Sequence, residues 1–420
     1  MNPGEKGWLK EYLEFRKDLL KDYSAGNGRV PHPEYSLYKL IQPTGIMYGQ
    51  PVGATDFPNV KEWGEGDKMK ILLAESLIGS ALLFHDKSVK TPEDLSKVIV
   101  HALENIANFY NSIFPELATP TKTLFGSRKS SLELAERIFD KRINVTTERS
   151  SNFWVKFFHN SLLFLDIFIY GQWIHTNADR IVSDFFKYER EELRFSVVKV
   201  IACAAHSNAI LEIEERRLLE YFLQSTELPN NKLREAKKIF EEGIPLDDIN
   251  LPTNNSWILK KYFLEIAILT IWADKQVEES ELGFIKRLNK LLGFNETDLE
   301  NSQLAIEGFV LENWDHLSYL QSKQDYNSIS QRYIGRMNKI TISNKNRLLK
   351  EVKDSEEVME LLKRARMREL GEVEKEQLQA SLIRILKTIP TFAIVSLPQR
   401  YLTLPILLKI LPADFFAEVA

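Results

Sequence analysis

Ala205-His206-Ser207-Asn208-Ala209-Ile210-Leu211-Glu212-Ile213-Glu214-Glu215 and Ile271-Trp272-Ala273-Asp274-Lys275-Gln276-Val277-Glu278-Glu279-Ser280-Glu281 are two versions of one pattern, 66 residues apart. Each follows an apolar run with helical spacing and has Asn or Asp at its apex. An aliphatic residue stands three positions later (Leu211, Val277) and a Glu seven later (Glu215, Glu281). An apolar helix, a turn on an Asx residue and a second helix make a helix–turn–helix unit. The Asx side chain caps or stabilises the turn, and acids early in the next helix face its positive dipole end. The repeat predicts a helical centre at about residues 195–311.

Outward from this pair the rest of the chain also reads as helical. No strand-rich alternation and no hairpin dipeptides stand between apolar runs, so the expected fold class is all-α. With 420 residues the chain is too long for one ordinary core. The expected division is an N-terminal helical region (1–150), a central helical domain (151–320) and a proline-kinked helical C-terminal domain (321–420).

In the N-terminal region, Leu9, Tyr12, Leu13, Phe15, Leu19 and Leu20 predict a first helix over about 8–21. From Ser24 to Asp67 Gly and Pro recur and the periodicity dissolves, which predicts a long loop. That loop either wraps over the helices through Tyr35, Tyr38, Ile46 and Met47 or forms a binding arm. Helices resume at about 68–85, 92–114 and 132–140, the second with Thr91 as N-cap and Pro92 at its first position. The stretch Asn152 to Ile174 is the most apolar of the first half. Lys156, His159 and Asp166 leave it no 18-residue uncharged run, so a buried central helix is preferred to a membrane span.

Composition narrows the functional classes. A hydrophobic fraction of 44% with 27% charged residues suits a soluble globular protein, and a net charge of -4 predicts no nucleic-acid partner for the molecule as a whole. The one cysteine, Cys203, excludes an intrachain disulfide and sits in an apolar run, where it reads as an inert core residue. No apolar signal core follows the charged residues Glu5, Lys6 and Lys10, so a reducing, cytoplasmic compartment is expected.

Charge is uneven, and the basic excess comes late. Between Ser322 and Lys350 there are seven Lys/Arg and one acid, an excess of +6. Arg332, Arg336 and Lys339 repeat at i, i+4, i+7 and share a helix face other than that of the apolar stripe Ile329, Tyr333, Met337 and Ile340. A second helix, capped by Ser355, carries Lys363, Arg364, Arg366 and Arg368. These seven cations are the candidate contacts for the phosphates of RNA or of lipid headgroups.

The C-terminal stretch is punctuated by Pro390, Pro398, Pro405 and Pro412, so it cannot be one straight helix. It is either a kinked hairpin packed on its domain or an amphipathic element that meets lipid. In the second case Phe392, Ile394, Leu397, Tyr401, Leu404, Ile406 and Leu407 are the contacts. The second turn offers carboxylates at Asp274, Glu278 and Glu281 for a cation such as Ca²⁺, in competition with their capping role. No phosphate-cradling loop, His-Glu-x-x-His helix or nucleophile elbow occurs. The expectation is a protein that is not an enzyme, with no cofactor and no small-molecule substrate.

Two resemblances attach to these residues. The paired turns resemble the TerB-like helical domain of tellurite-resistance proteins, with Asn208-Ala209 and Asp274-Lys275 where that family usually has Asp-Gly. The tail resembles the ribosome-binding-like domain of the leucine-zipper/EF-hand transmembrane (LETM) proteins. Leu386-Lys387-Thr388-Ile389-Pro390, Leu397-Pro398 and Leu404-Pro405-Ile406-Leu407-Leu408-Lys409-Ile410-Leu411-Pro412 followed by Phe415 carry that likeness. The order of the two is similar to bacterial LETM-related, biofilm-associated proteins. What the resemblance implies is a binding protein associated with ribosomes or membrane. The readings left open are ribosome or RNA association, a peripheral membrane or ion-homeostasis scaffold at the inner face of the membrane using 389–411, and a Ca²⁺-responsive TerB-like module.

Overall fold

The computed structural model describes residues 1–18, 20, 33–52, 57, 59–84, 91–114, 117, 130–146, 153–176, 180–207, 223, 226, 228–251, 256–272, 279–317, 320–321 and 324–412. Among them every regular element is an α-helix or a 3₁₀ turn and none is a strand, so the fold is all-α. The chain forms two compact units, residues 1–267 and 268–420. Most of each of the paired turns, 208–215 in the first and 273–278 in the second, lies outside the described residues.

The first unit contains α1 (Trp8–Phe15), α2 (Pro33–Ile41), α3 (Glu65–Leu83), α4 (Pro92–Ile113), α5 (Ser131–Thr146), α6 (Phe153–Asn160), α7 (Leu163–Thr176), α8 (Arg180–Ala205), α9 (Asn230–Glu242) and α10 (Trp257–Ile271). Its axis is α3, which is buried without interruption from Met69 to Leu82. A helix buried around its whole circumference has no face to give to water. It is therefore enclosed, by α2, α4, α5 and α7. Its two buried charges are met: Lys70 pairs with Asp140 at 2.8 Å, and Glu75 with Arg16 at 3.0 Å. The start of α4 is the expected one, with Thr91 Oγ1 accepting from the Asp94 N–H and Asp94 returning the bond to Thr91.

Two expectations change. Within the stretch read as a Gly/Pro-rich loop, residues 33–41 form α2, and 3₁₀ turns follow at Gln42–Thr44 and Ile46–Tyr48. Tyr38, Ile46 and Met47 are wholly buried, so this part of the stretch belongs to the core. Gly49, at φ 65, ends it because a Cβ there would collide with the backbone of Lys156 and Phe157. The apolar stretch from 153 is two helices, α6 and α7, broken at Ser161-Leu162. At the break Asn160 donates to the Gly49 carbonyl, and the Ser161 carbonyl accepts from the Tyr262 hydroxyl. Leu162 to Tyr170 are all buried. No helix among the described residues is long and apolar enough to cross a membrane.

The second unit contains α11 (Glu279–Leu291), α12 (Glu296–Glu312), α13 (Tyr326–Ser343), α14 (Lys345–Lys353), α15 (Glu356–Met367), α16 (Glu372–Leu386), α17 (Pro390–Ile394) and α18 (Leu404–Ile410). Gly293 takes φ 73 just after α11, and the Phe294 N–H closes back on the Asn289 carbonyl. α13 is the element on which this unit converges: α12, α14 and α18 all pack against it. Its apolar stripe is buried at Ile329, Tyr333 and Met337, as the spacing predicts.

The proline-punctuated segment lies against α13. Tyr401 meets Tyr333 edge-on at 5.5 Å and shares a hydrogen bond with Ser330. At the end of α18 the Ile410 carbonyl, freed because the helix stops there, accepts from both Thr341 Oγ1 and Asn338 Nδ2. Pro398 and Pro412 are buried, Pro390 and Pro405 exposed.

Candidate functional site

The basic face of α13 is present, and each of its cations is answered by an acid of α12. Arg332 and Arg336 share Glu307, Nε to carboxylate, at 3.5 and 3.1 Å, and Lys339 reaches Glu300 at 2.6 Å. Glu300 and Glu307 stand seven residues apart on α12, so acid faces base over two turns. Glu307 is only 1% exposed, whereas Arg332 and Arg336 are 43% and 26% exposed. Burial pushes the Glu307 carboxyl up to about 7, outweighing the pull of Arg336 and then Arg332. The guanidinium of Arg332 also lies over the Trp272 ring, 5.3 Å from its centroid.

The second predicted cluster is arranged differently. Lys363 is exposed. Arg364 reaches Glu360 and Glu374, and Arg368 donates to both oxygens of Glu374 at 2.6 and 2.8 Å. Arg368 first, then the Gly371 N–H, hold the Glu374 carboxyl down at about 2. The side chain of Arg366 lies outside the described ones. Such exposed pairs contribute little to stability.

A third group of cations goes beyond those that the sequence pattern marks out. On α14, Leu348, Leu349 and Val352 face inward, and Arg347, Lys350 and Lys353 are exposed at i, i+3, i+6. Among the described residues no carboxylate lies within ion-pair distance of these three. The signal is present in the local excess of +6, but sequence spacing does not reveal which cations are neutralised across a helix interface.

The apolar residues named for lipid contact are placed as follows. Phe392, Leu397, Tyr401 and Leu407 are buried, while Ile394, Leu404 and Ile406 are half-buried. Leu408, at 48%, is the large apolar side chain of this segment that stands exposed. Of the carboxylates named for a cation, Asp274 and Glu278 lie outside the described residues, and Glu281 is buried in the first turn of α11. The described residues bring no three His, Cys, Asp or Glu together as a metal site.

The first unit holds two buried polar networks that the sequence does not expose. Tyr38 and Tyr48 both donate to Glu265, at 2.6 and 2.7 Å, with Lys261 3.7 Å away one turn earlier on α10. Burial, then the Glu265 charge, raises both phenols, so they stay protonated donors. In the second network Arg142 donates from two nitrogens to the two oxygens of Asp166, at 2.6 and 3.1 Å, and Tyr110 adds a third bond. These are residues 24 and 56 positions apart, linked only by the fold. No family model, curated protein or solved structure matches the chain.

Proposed function

We propose that the protein is a non-enzymatic binding protein whose second unit associates with RNA, the ribosome being the assembly its LETM-like tail points to. The observation that supports this reading is the row Arg347, Lys350 and Lys353 on the outer face of α14. These cations are exposed, no carboxylate among the described residues lies within ion-pair distance of them, and Arg347 and Lys350 fall in the stretch with an excess of +6. A polyanion gains affinity from such a row chiefly by releasing counterions, so binding is expected to weaken steeply with salt. The net charge of the whole chain is -4, so the attraction rests on this local excess and not on the molecule's overall charge.

Co-sedimentation of the full chain with purified ribosomes tests the proposal. Pelleting with ribosomes at low salt, lost as salt rises, is the expected result. Absence of co-sedimentation at low salt removes the proposal.

A further inference from the structure

Arg332 and Arg336 use their Nε groups inward, one to each oxygen of the same buried carboxylate. Among the described residues nothing accepts a hydrogen bond from their terminal nitrogens. A guanidinium presents its donors as a planar fork, so the Arg336 Nε–H bond to Glu307 sets the direction of its remaining N–H groups, and the 3.5 Å ion pair holds Arg332 beside it. The Arg332 guanidinium also lies over the Trp272 ring, a second attraction on the same side chain. The two forks stand one helical turn apart on α13, a rise of about 6 Å. Two arginines against one carboxyl leave a net charge of at least +1 at the spot, and Lys339, paired with Glu300, stands one turn further along.

We propose that the Arg332–Arg336 pair, held from below by Glu307, is a preformed site for a backbone phosphate of RNA. The proposal rests on the reading of the second unit as an RNA-binding surface and names its point of directed contact. Paired N–H donors in a fixed plane match the non-bridging oxygens of a phosphodiester, and little side-chain freedom is surrendered on binding. The flexible lysines of α14 supply attraction without direction. A lipid phosphate has the same oxygens, but the residues of α13 beside the pair are Ser328, Gln331 and Gly335, and the exposed Ile342 of the same helix lies further along it.

The test uses the full chain and a labelled single-stranded oligouridylate, followed by fluorescence anisotropy across a salt series. Removing the arginines alone strands a buried carboxylate, so the variant is Arg332→Gln with Arg336→Gln and Glu307→Gln. It is expected to bind about tenfold more weakly and to lower the salt slope by about 0.7 for each phosphate that the variant no longer neutralises. Arg332→Lys with Arg336→Lys keeps charge but not the forks, and is expected to lose affinity while retaining most of the slope. Wild-type affinity in both variants, with weakened binding in Arg347→Gln/Lys350→Gln/Lys353→Gln, overturns the phosphate site and leaves the RNA reading standing. No binding by the wild-type chain removes both. Binding to phosphatidylglycerol vesicles but not to RNA, abolished by the triple Gln variant at 332, 336 and 307, overturns the proposal in favour of a lipid phosphate.

Discussion

Arg336 donates through Nε to Glu307 at 3.1 Å, yet the Glu307 carboxyl is pushed up to about 7 because burial outweighs the two arginines. The folded chain therefore holds this proton more tightly than the unfolded chain does. Stability from this group is fully present below its unfolded value near 4.5 and is lost as pH rises through about 7. Glu307→Gln removes the titration. The variant is expected to gain on the wild type as pH rises from 5 to 8, by about 3 kcal/mol at the upper end. Urea denaturation of both proteins across this range measures it. A stability difference that does not change with pH contradicts the assignment.

Asp166 is predicted to be among the most sensitive positions of the first unit. It and Arg142 are both fully buried, and removing one partner of such a pair strands the other charge. Asp166→Leu is expected to destabilise by roughly 3–5 kcal/mol. Denaturant midpoints provide the check, and a loss below about 1 kcal/mol would show that the pair is solvated.

Tyr38 and Tyr48 are predicted to act as one unit through Glu265. Each single Tyr→Phe change removes one of the two phenol donors to Glu265 and is expected to cost about 1–2 kcal/mol. The double change removes both phenol donors from Glu265. It should cost more than the sum of the singles, by a coupling of at least about 0.5 kcal/mol. Strict additivity in a double-mutant cycle would deny the shared acceptor.

Leu407 separates core packing from lipid contact. It is wholly buried, so Leu407→Asp is expected to destabilise the second unit by at least about 3 kcal/mol. Leu408→Asp, one position on and exposed, is expected to change stability by about 0.5 kcal/mol or less. Equal effects at the two positions, measured by urea denaturation, would mean that Leu407 is not enclosed by the second unit.

The sequence carries the fold class because helical period survives in nearly every segment, and local signals such as Thr91-Pro92 and Leu292-Gly293 act within a few residues. The helix α2 escapes because Gly and Pro on both sides of it hide the spacing of Leu37, Tyr38 and Ile41. The break between α6 and α7 escapes because the groups that bond to it, Gly49 and Tyr262, are distant in sequence. The basic face of α13 is legible from spacing alone, but its neutralisation by Glu300 and Glu307 depends on how α12 lies against it. By the same limit Arg347, Lys350 and Lys353 look no different in the sequence from the cations that are paired.

The central claim is that the row on α14 meets a polyanion. It is tested most directly by the salt dependence of oligouridylate binding to the full chain and to Arg347→Gln/Lys350→Gln/Lys353→Gln. The account predicts a linear fall of log affinity with log salt in the wild type, and a slope shallower by about 2 in the variant. Identical slopes in the two proteins would contradict it.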